Sequence, residues 1–211
     1  MITAAGFNVG LFSFPLIEGL FGDKGLKLMA MFDFGNAFVI FGLVYLLGYS
    51  FSVKAESKKL TPGISIKLLF TSIPFMGYIL GIVINVSGAV LPGPVIDFLG
   101  VLSRANMALA LLTLGLTLNF SFDRKHWNLI LTIVGIRYLT GIAAGILIYF
   151  LLPFPRLTRI ILLFGLTLPV GLSSIPFAVE FGYDPEVTGT INNMTIVLSF
   201  AIMWISMLIL F

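Results

Sequence analysis

The chain has 211 residues, of which 59% are hydrophobic and 10% charged, and its formal net charge is +3. A soluble domain carries about 25% charged residues, so this composition predicts an all-α polytopic membrane protein instead. The net positive charge lies at helix ends and in short loops, which indicates membrane topology and no nucleic-acid partner. Because the chain has no cysteine, disulfides, thiol nucleophiles and sulfur-ligated metals are excluded.

Seven apolar segments are each long enough to cross the lipid bilayer. In chain order they cover residues 2–20, 26–50, 64–87, 94–119, 127–152, 157–181 and 187–211. Turn signals separate them, namely FGDKG at 21–25, LPGP at 91–94, SFDRKH at 121–126, LPFPR at 152–156 and GYDPE at 182–186. The longest polar stretch is SVKAESKKLTP at 52–62.

One apolar segment is full of helix breakers. The stretch Leu163–Asp184 reads LFGLTLPVGLSSIPFAVEFGYD, with two prolines and several glycines and serines in its middle. Lipid cannot hydrogen-bond a freed backbone group, so such an interruption is tolerated only where it is buried in protein or faces a watery cavity. The sequence therefore predicts unwound backbone at this place.

A second copy of the interruption lies near the start of the chain. VGLFSFP at 9–15 matches VGLSSIP at 170–176 in valine, glycine, leucine, serine and proline, with a constant offset of 161 residues. Two interrupted apolar helices at corresponding places in two halves are the best sequence pointer to a transporter binding site.

The lysines and arginines give an orientation. One set of alternate loops holds six of them and the other set holds four, which places the 54–59 and 124–125 loops in the cytoplasm. We thus expect a multi-pass protein of the cell membrane with its carboxyl terminus outside. The two interrupted segments then run in opposite directions, and five segments separate equivalent positions, so the repeat is an inverted one of five helices.

This arithmetic divides the chain into three parts. Residues 1–50 are the last two helices of the first repeat, 51–63 a cytoplasmic linker and 64–211 a complete five-helix second repeat. Two full repeats need ten helices, so we expect either a fragment of a longer protein or a short form completed by another subunit, as in a homodimer.

The same residues resemble a known family. NVGLFSFPLIEGLFGDKGL, FDFGNAFVIFGLVYLLG and VGLSSIPFAVEFGYDPEVTGTINNMTIVLSF look like the fourth, fifth, ninth and tenth helices of the auxin efflux carrier family. The resemblance covers essentially the whole chain as helices four to ten. It implies the fold of the bile acid and sodium symporters, with two inverted repeats of five helices and the fourth and ninth broken and crossed at proline. It also implies that Asn8, which precedes the first break, contacts substrate.

Candidate substrate-binding residues surround the two interruptions. They are prolines that would open the helices, glycines that permit close approach and neutral side chains that can donate to a carboxylate: Asn8, Gly10, Ser13, Pro15, Gly171, Ser173, Ser174 and Pro176. Structural alternatives stay open for each kind, since proline can make a packing kink, glycine can admit a crossing helix and a polar side chain can cap a broken helix.

A second set of residues could couple transport to an ion or a proton. It comprises Asp33, Asn36, Asn193 and Arg137, because polar and ionisable groups within a membrane segment are costly and functional by default. The alternatives are that Asp33 lies near the interface, that Asn193 bonds another helix, and that Arg137 pairs with a structural acid such as Glu18 or Glu180.

These patterns favour transport over catalysis. The lone His126 has no ligand or triad neighbours at suitable spacing, so we expect no enzyme activity, metal or cofactor. The predicted function is a secondary transporter that moves a small organic anion, a carboxylate or auxin-like, by alternating access around crossed broken helices. The alternative is a truncated, non-transporting membrane scaffold subunit that is stable only as an oligomer.

Overall fold

The structure is a computed structural model that describes residues 2–3, 5–52, 66–67, 70–71, 73–117 and 126–210. In these ranges all regular secondary structure is helical, as the composition predicts. The predicted linker at 51–63 and the predicted turn at 121–126 lie mostly outside the described residues.

The described helices follow the apolar segments of the sequence. The α-helices are α1 (Phe14–Phe38), α2 (Tyr45–Ser50), α3 (Ile73–Ser87), α4 (Gly93–Thr117), α5 (Trp127–Leu151), α6 (Arg156–Leu166), α7 (Ser174–Phe181) and α8 (Pro185–Leu210). Two π-helical turns, Val9–Ser13 and Val39–Val44, join onto the ends of α1.

Four helical stretches of the described residues are long and apolar enough to cross a bilayer. They are Val9–Ser50, Gly93–Thr113, Trp127–Leu151 and Pro185–Leu210. These stretches agree with a multi-pass all-α membrane protein, whereas the count of seven spanning segments stays a prediction. The first of them is interrupted at Gly22, whose φ of 59° and ψ of −158° lie outside the helical range, within the turn predicted at 21–25.

Unwound backbone is present beside both expected interruptions, although the first motif itself, at 9–15, is helical and the unwound residues precede it. Residues 5–8, which we call the first break, are not helical and lead directly into the π-helical turn at Val9. Residues 167–173, the second break, separate α6 from α7. Each break is thus followed by a helix, which is the π-helical turn leading into α1 after the first break and α7 after the second. The matching motifs of the sequence repeat, 9–15 and 170–176, lie at or just before the starts of these two helices.

The main core holds the helices around the breaks together. It lies between α1, α6 and α8 and includes Ile17, Met29, Ile160, Phe164, Leu168, Ile196 and Met203, all buried. A second cluster packs α2 against α7, with Tyr45 and Tyr49 against Phe177 and Phe181. A third packs α5 against α8.

Helices α5 and α6 approach closely through two glycines one turn apart. A Cβ on Gly141 would fall on the carbonyl oxygen of Leu166, and one on Gly145 would meet Leu163. Small residues four positions apart let membrane helices pack backbone to backbone. This contact fixes the end of α6, and therefore the point where the second break starts.

We expect Gly141→Ala to lower the free energy of unfolding by about 1–3 kcal/mol, because the added methyl group must push α6 away from α5. Thermal or denaturant unfolding of the detergent-solubilised protein measures the change. Gly135→Ala is the matched control, since a Cβ there meets nothing within 4 Å in the described structure and alanine favours a helix. Equal losses for the two variants would contradict the close α5–α6 contact.

Candidate functional site

The two breaks touch each other. The backbone amide of Asn8 in the first break donates a hydrogen bond of 2.9 Å to the carbonyl oxygen of Pro169 in the second. The sequence distance between these residues is large, so this bond joins two parts of the chain that the repeat predicts to be equivalent. The two unwound stretches are therefore in direct contact.

Arg137 of α5 supplies donors to both breaks. Its side chain is 4% exposed. One guanidinium nitrogen, Nη2, donates to the carbonyl oxygens of Gly6 at 2.8 Å, Leu168 at 3.0 Å and Pro169 at 3.1 Å. Because these residues are not helical, their carbonyl oxygens lack the usual helical donors, and an apolar region offers no water to replace them. An unsatisfied buried carbonyl is costly there. The sequence left open whether Arg137 serves substrate or structure; the contacts give it a structural role, through carbonyl groups.

The second break is held by neighbouring helices. The amide of Val170 donates to Oγ1 of Thr195 on α8 at 3.1 Å, and the hydroxyl of Ser199 donates to the carbonyl of Thr167 at 2.6 Å. The phenol of Tyr138 on α5 bonds the carbonyl of Thr195 at 2.7 Å. Side chains of α5 and α8 therefore take the place of the helical hydrogen bonds that this stretch lacks.

The first break is held by Asn36, which reaches back from α1. Its Oδ1 accepts from the amide of Phe7 and its Nδ2 donates to the carbonyl of Phe7, both at 2.9 Å. The same Nδ2 donates to Oδ1 of Asp33 at 2.9 Å. The other carboxylate oxygen of Asp33 accepts from the Tyr78 phenol on α3 at 2.6 Å. Asn36 thus connects the peptide of the break to an acidic side chain.

A cavity of about 460 Å³ opens where the breaks meet. Its walls come from both breaks, α1, α3 and α4, and this volume lies within the usual range for small-molecule sites. The polar side chains that line it are Asn8, Asp33, Asn36, Tyr78, Asn106 and Ser173. The rest of the lining is mainly apolar, with Gly10 and Gly171 exposing backbone.

The cavity separates the predicted site residues into two groups. Those that line it are Asn8, Gly10, Gly171 and Ser173 of the substrate set and Asp33 and Asn36 of the coupling set. Those that do not are Ser13, Pro15, Ser174, Pro176, Asn193 and Arg137. The structure therefore places half of the predicted substrate-binding residues and half of the predicted coupling residues around one cavity. They belong to the first break, the helix that follows it and the end of the second break.

The two prolines do not lie inside the interruptions. Pro15 is in the first turn of α1, and Pro176 is the third residue of α7. Pro176 costs no helical hydrogen bond, because the first amides of a helix have no partner in any case. Pro15, in contrast, is the seventh residue of the helical stretch that begins at Val9. The expectation that each proline opens its helix stays a prediction.

Two serines equivalent in the repeat are buried behind the cavity. Ser13 is 0% exposed and Ser174 is 3% exposed. Neither hydroxyl has a hydrogen-bond partner within the described part of the chain. Ser13 ends the π-helical turn that leads into α1, and Ser174 is the first residue of α7.

The side chain of Asn8 uses one of its polar atoms in a hydrogen bond and leaves the other without a partner among the described residues. Its side-chain Oδ1 accepts from the amide of Leu11 at 3.3 Å, which caps the helix that begins at Val9. Its Nδ2, although buried, has no acceptor among the described residues. Asn8 thus lines the cavity and carries a buried donor that no described acceptor uses.

Two of the polar cavity residues were not singled out from the sequence. Asn106 is an amide within the apolar run of α4, a polarity signal that could have been noticed. Tyr78 gave no such signal, because aromatic residues are common throughout membrane helices. Its place beside Asp33 depends on how α3 packs against α1.

Comparison with known proteins supports a transporter. An uncharacterized transporter of Methanothermobacter thermautotrophicus is 28% identical over 204 residues, which are 94% of this chain. The chain spans 63% of the length of that relative. No family model and no solved structure matches the chain. Together with the apolar helices, this similarity supports a multi-pass membrane transporter.

We expect Arg137→Leu to destabilise the fold strongly, because the buried carbonyl groups of Gly6 and Leu168 lose their guanidinium donor while that of Pro169 keeps the Asn8 amide, and each unsatisfied acceptor costs about 1–3 kcal/mol. Arg137→Lys should lose less, since an ammonium group keeps the charge and three donors. The measurement is the thermal midpoint and the monodisperse yield in detergent.

Arg159→Leu is the control for this prediction. Arg159 is only partly buried and one of its guanidinium nitrogens donates to the carbonyl of Tyr149 at 3.0 Å. If Arg137→Leu were as stable as Arg159→Leu, the breaks would not depend on the guanidinium.

Proposed function

We propose that the protein is a secondary transporter of the auxin efflux carrier type, which moves a small organic anion by alternating access around the two breaks. The observation that carries the proposal is the 2.9 Å hydrogen bond from Asn8 to Pro169, beside a cavity that both breaks line. Unwound backbone at membrane depth is expected where it lines a cavity, and matched broken helices are typical of transporter binding sites.

Hydrogen-bond donors favour an anion in this cavity. Nδ2 of Asn8 is a buried donor that lacks an acceptor in the described structure. The helix that starts at Val9 directs its first amides and the positive end of its dipole to the same side. Gly10 has no side chain to keep an anion away from that backbone.

A fixed positive charge lies behind the cavity wall. Cζ of Arg137 is 4.7 Å from the centre of the Phe7 ring, and Phe7 itself lines the cavity. The guanidinium cannot be deprotonated under ordinary conditions. Although it bonds backbone groups and not the cavity, its charge attracts an anion that sits in front of Phe7.

Apolar side chains would hold the body of the substrate. Phe14, Phe41 and Phe75 are among the cavity residues, and aromatic walls suit a carboxylate with an apolar or aromatic body, such as an auxin-like molecule. A scaffold subunit would have no need of such a cavity. The homodimer expected from the sequence stays a prediction, which the mass of the purified particle tests.

Alternating access would use the junction of the two breaks. One break precedes α1 and the other precedes α7, and Arg137 and the Asn8–Pro169 bond connect them. Movement of one broken helix relative to the other would open the cavity to either side of the membrane while the junction stays at its centre.

We expect Asn8→Asp to reduce saturable uptake of radiolabelled pyruvate and indole-3-acetate into proteoliposomes by about tenfold or more. Aspartate keeps the size and the helix-capping oxygen of asparagine, but it replaces the free donor with a negative charge that repels an anion. Initial rates over a range of concentrations separate binding from translocation.

Asn128→Asp is the matched control, because Asn128 is exposed in the first turn of α5 and does not line the cavity. It should transport like the wild type. Unchanged uptake by Asn8→Asp, or no saturable uptake by the wild type with a panel of carboxylates, would count against the proposed function.

A further inference from the structure

We propose that Asp33 takes up one proton when a carboxylate enters the cavity, so that anion and proton bind together one to one. This inference rests on the proposed function and names the co-substrate of the same site. It follows from the charges around the cavity, from the hydrogen bonds of Asp33 and from the connection between Asp33 and the first break.

The charge count gives the first argument. Among the described residues that line the cavity, Asp33 carries the one carboxyl group, and no lysine, arginine or histidine lines it. The nearest guanidinium shown against the wall is that of Arg137, behind the Phe7 ring. One fixed positive charge can balance either the Asp33 carboxylate or an incoming carboxylate, but not both.

No other described charge meets this need from the elements around Asp33. From α3 the titratable neighbour is the neutral phenol of Tyr78, and from α4 the cavity receives Asn106. Arg104 of α4 is exposed and lies two residues from Asn106, about 200° around the helix. Both breaks contribute neutral side chains, Asn8 and Ser173, to the lining.

The hydrogen bonds of Asp33 leave room for a proton. Its two oxygens accept from neutral donors, the Asn36 amide at 2.9 Å and the Tyr78 phenol at 2.6 Å. Each carboxylate oxygen has a second acceptor site. A proton placed there would neutralise the group without breaking either bond, and the resulting hydroxyl could donate to an anion in the cavity.

Asn36 would transmit this change to the substrate side. One Nδ2 group donates to both Asp33 and the carbonyl of Phe7, and the next residue, Asn8, lines the cavity and has a buried donor without an acceptor among the described residues. Protonation weakens the charge-assisted bond from Asn36 to Asp33 and so favours its bonds to the Phe7 peptide. Proton binding would thus steady the peptide before Asn8, where the anion is held.

The test counts protons directly. Titration calorimetry of the purified full chain with pyruvate and with indole-3-acetate, in two buffers of different ionisation enthalpy, gives the protons taken up per anion bound. We expect a value near one for the wild type at a pH where free Asp33 is ionised. The affinity should fall about tenfold per unit of rising pH in that range.

Three variants separate this proposal from a structural effect. Asp33→Asn should bind the anion with no proton uptake and no pH dependence, because the side chain is already neutral and still accepts a hydrogen bond. Asp33→Glu should keep the proton uptake. Asp97→Asn, an exposed acid on α4 that does not line the cavity, should behave like the wild type.

Two results would overturn the proposal while the proposed function stands. One is saturable anion binding by the wild type without proton uptake, including binding that requires sodium instead. The other is equal proton uptake by the wild type and Asp33→Asn. If neither anion binds saturably to the wild type, both proposals fail.

Discussion

Unwound backbone inside a membrane protein must find hydrogen-bond partners without water, and this requirement shapes the centre of the molecule. Arg137 meets part of it by donating to carbonyl oxygens of both breaks, and the Asn8–Pro169 bond meets another part by pairing one break with the other. The breaks are therefore stable only together, since each supplies or shares the partners of the other. Close packing of α5 on α6 through Gly141 brings Arg137 to the place where these carbonyls gather.

The hydrogen-bond partners of the two breaks come from different parts of the structure. The second break is held by buried groups on other helices, with Thr195 and Ser199 bonded to its backbone. The first is held by Asn36 from its own helix, on the side where the cavity opens. Half of the polar side chains around the cavity, those of Asn8, Asp33 and Asn36, come from the first break and α1. The two breaks are thus equivalent in the sequence repeat but differ in the groups that hold them.

The sequence predicted the breaks and much of the cavity, because both depend on local chemistry. Helix breakers in apolar segments require unwound backbone, and polar residues near them, such as Asn8 and Asp33, are too costly in lipid to be incidental. The partners of Arg137 could not be predicted in this way, because Gly6 and Leu168 meet it only in the folded chain. Tyr78 was missed for the same reason. Pro15 and Pro176 lie after the unwound backbone and not within it, and the sequence could not show this, because a proline that ends one helix and one that starts the next give the same local signal.

Arg137 lies behind the cavity wall and Asp33 lines the cavity. Their charges also affect which forms of the proposed site could open to one side of the membrane and then to the other. An empty site that holds Arg137 and an ionised Asp33 has no net charge, and so has a site with the cation, one carboxylate substrate and a protonated Asp33. An anion alone would leave one unbalanced negative charge among apolar helices, where its burial is expensive. Alternation between the two sides of a membrane is cheapest for the neutral forms, so under the proposed function this arrangement would disfavour movement of the anion without its proton. In that case the cost of burying net charge would by itself couple movement of the anion to movement of the proton, and no separate gate would be needed.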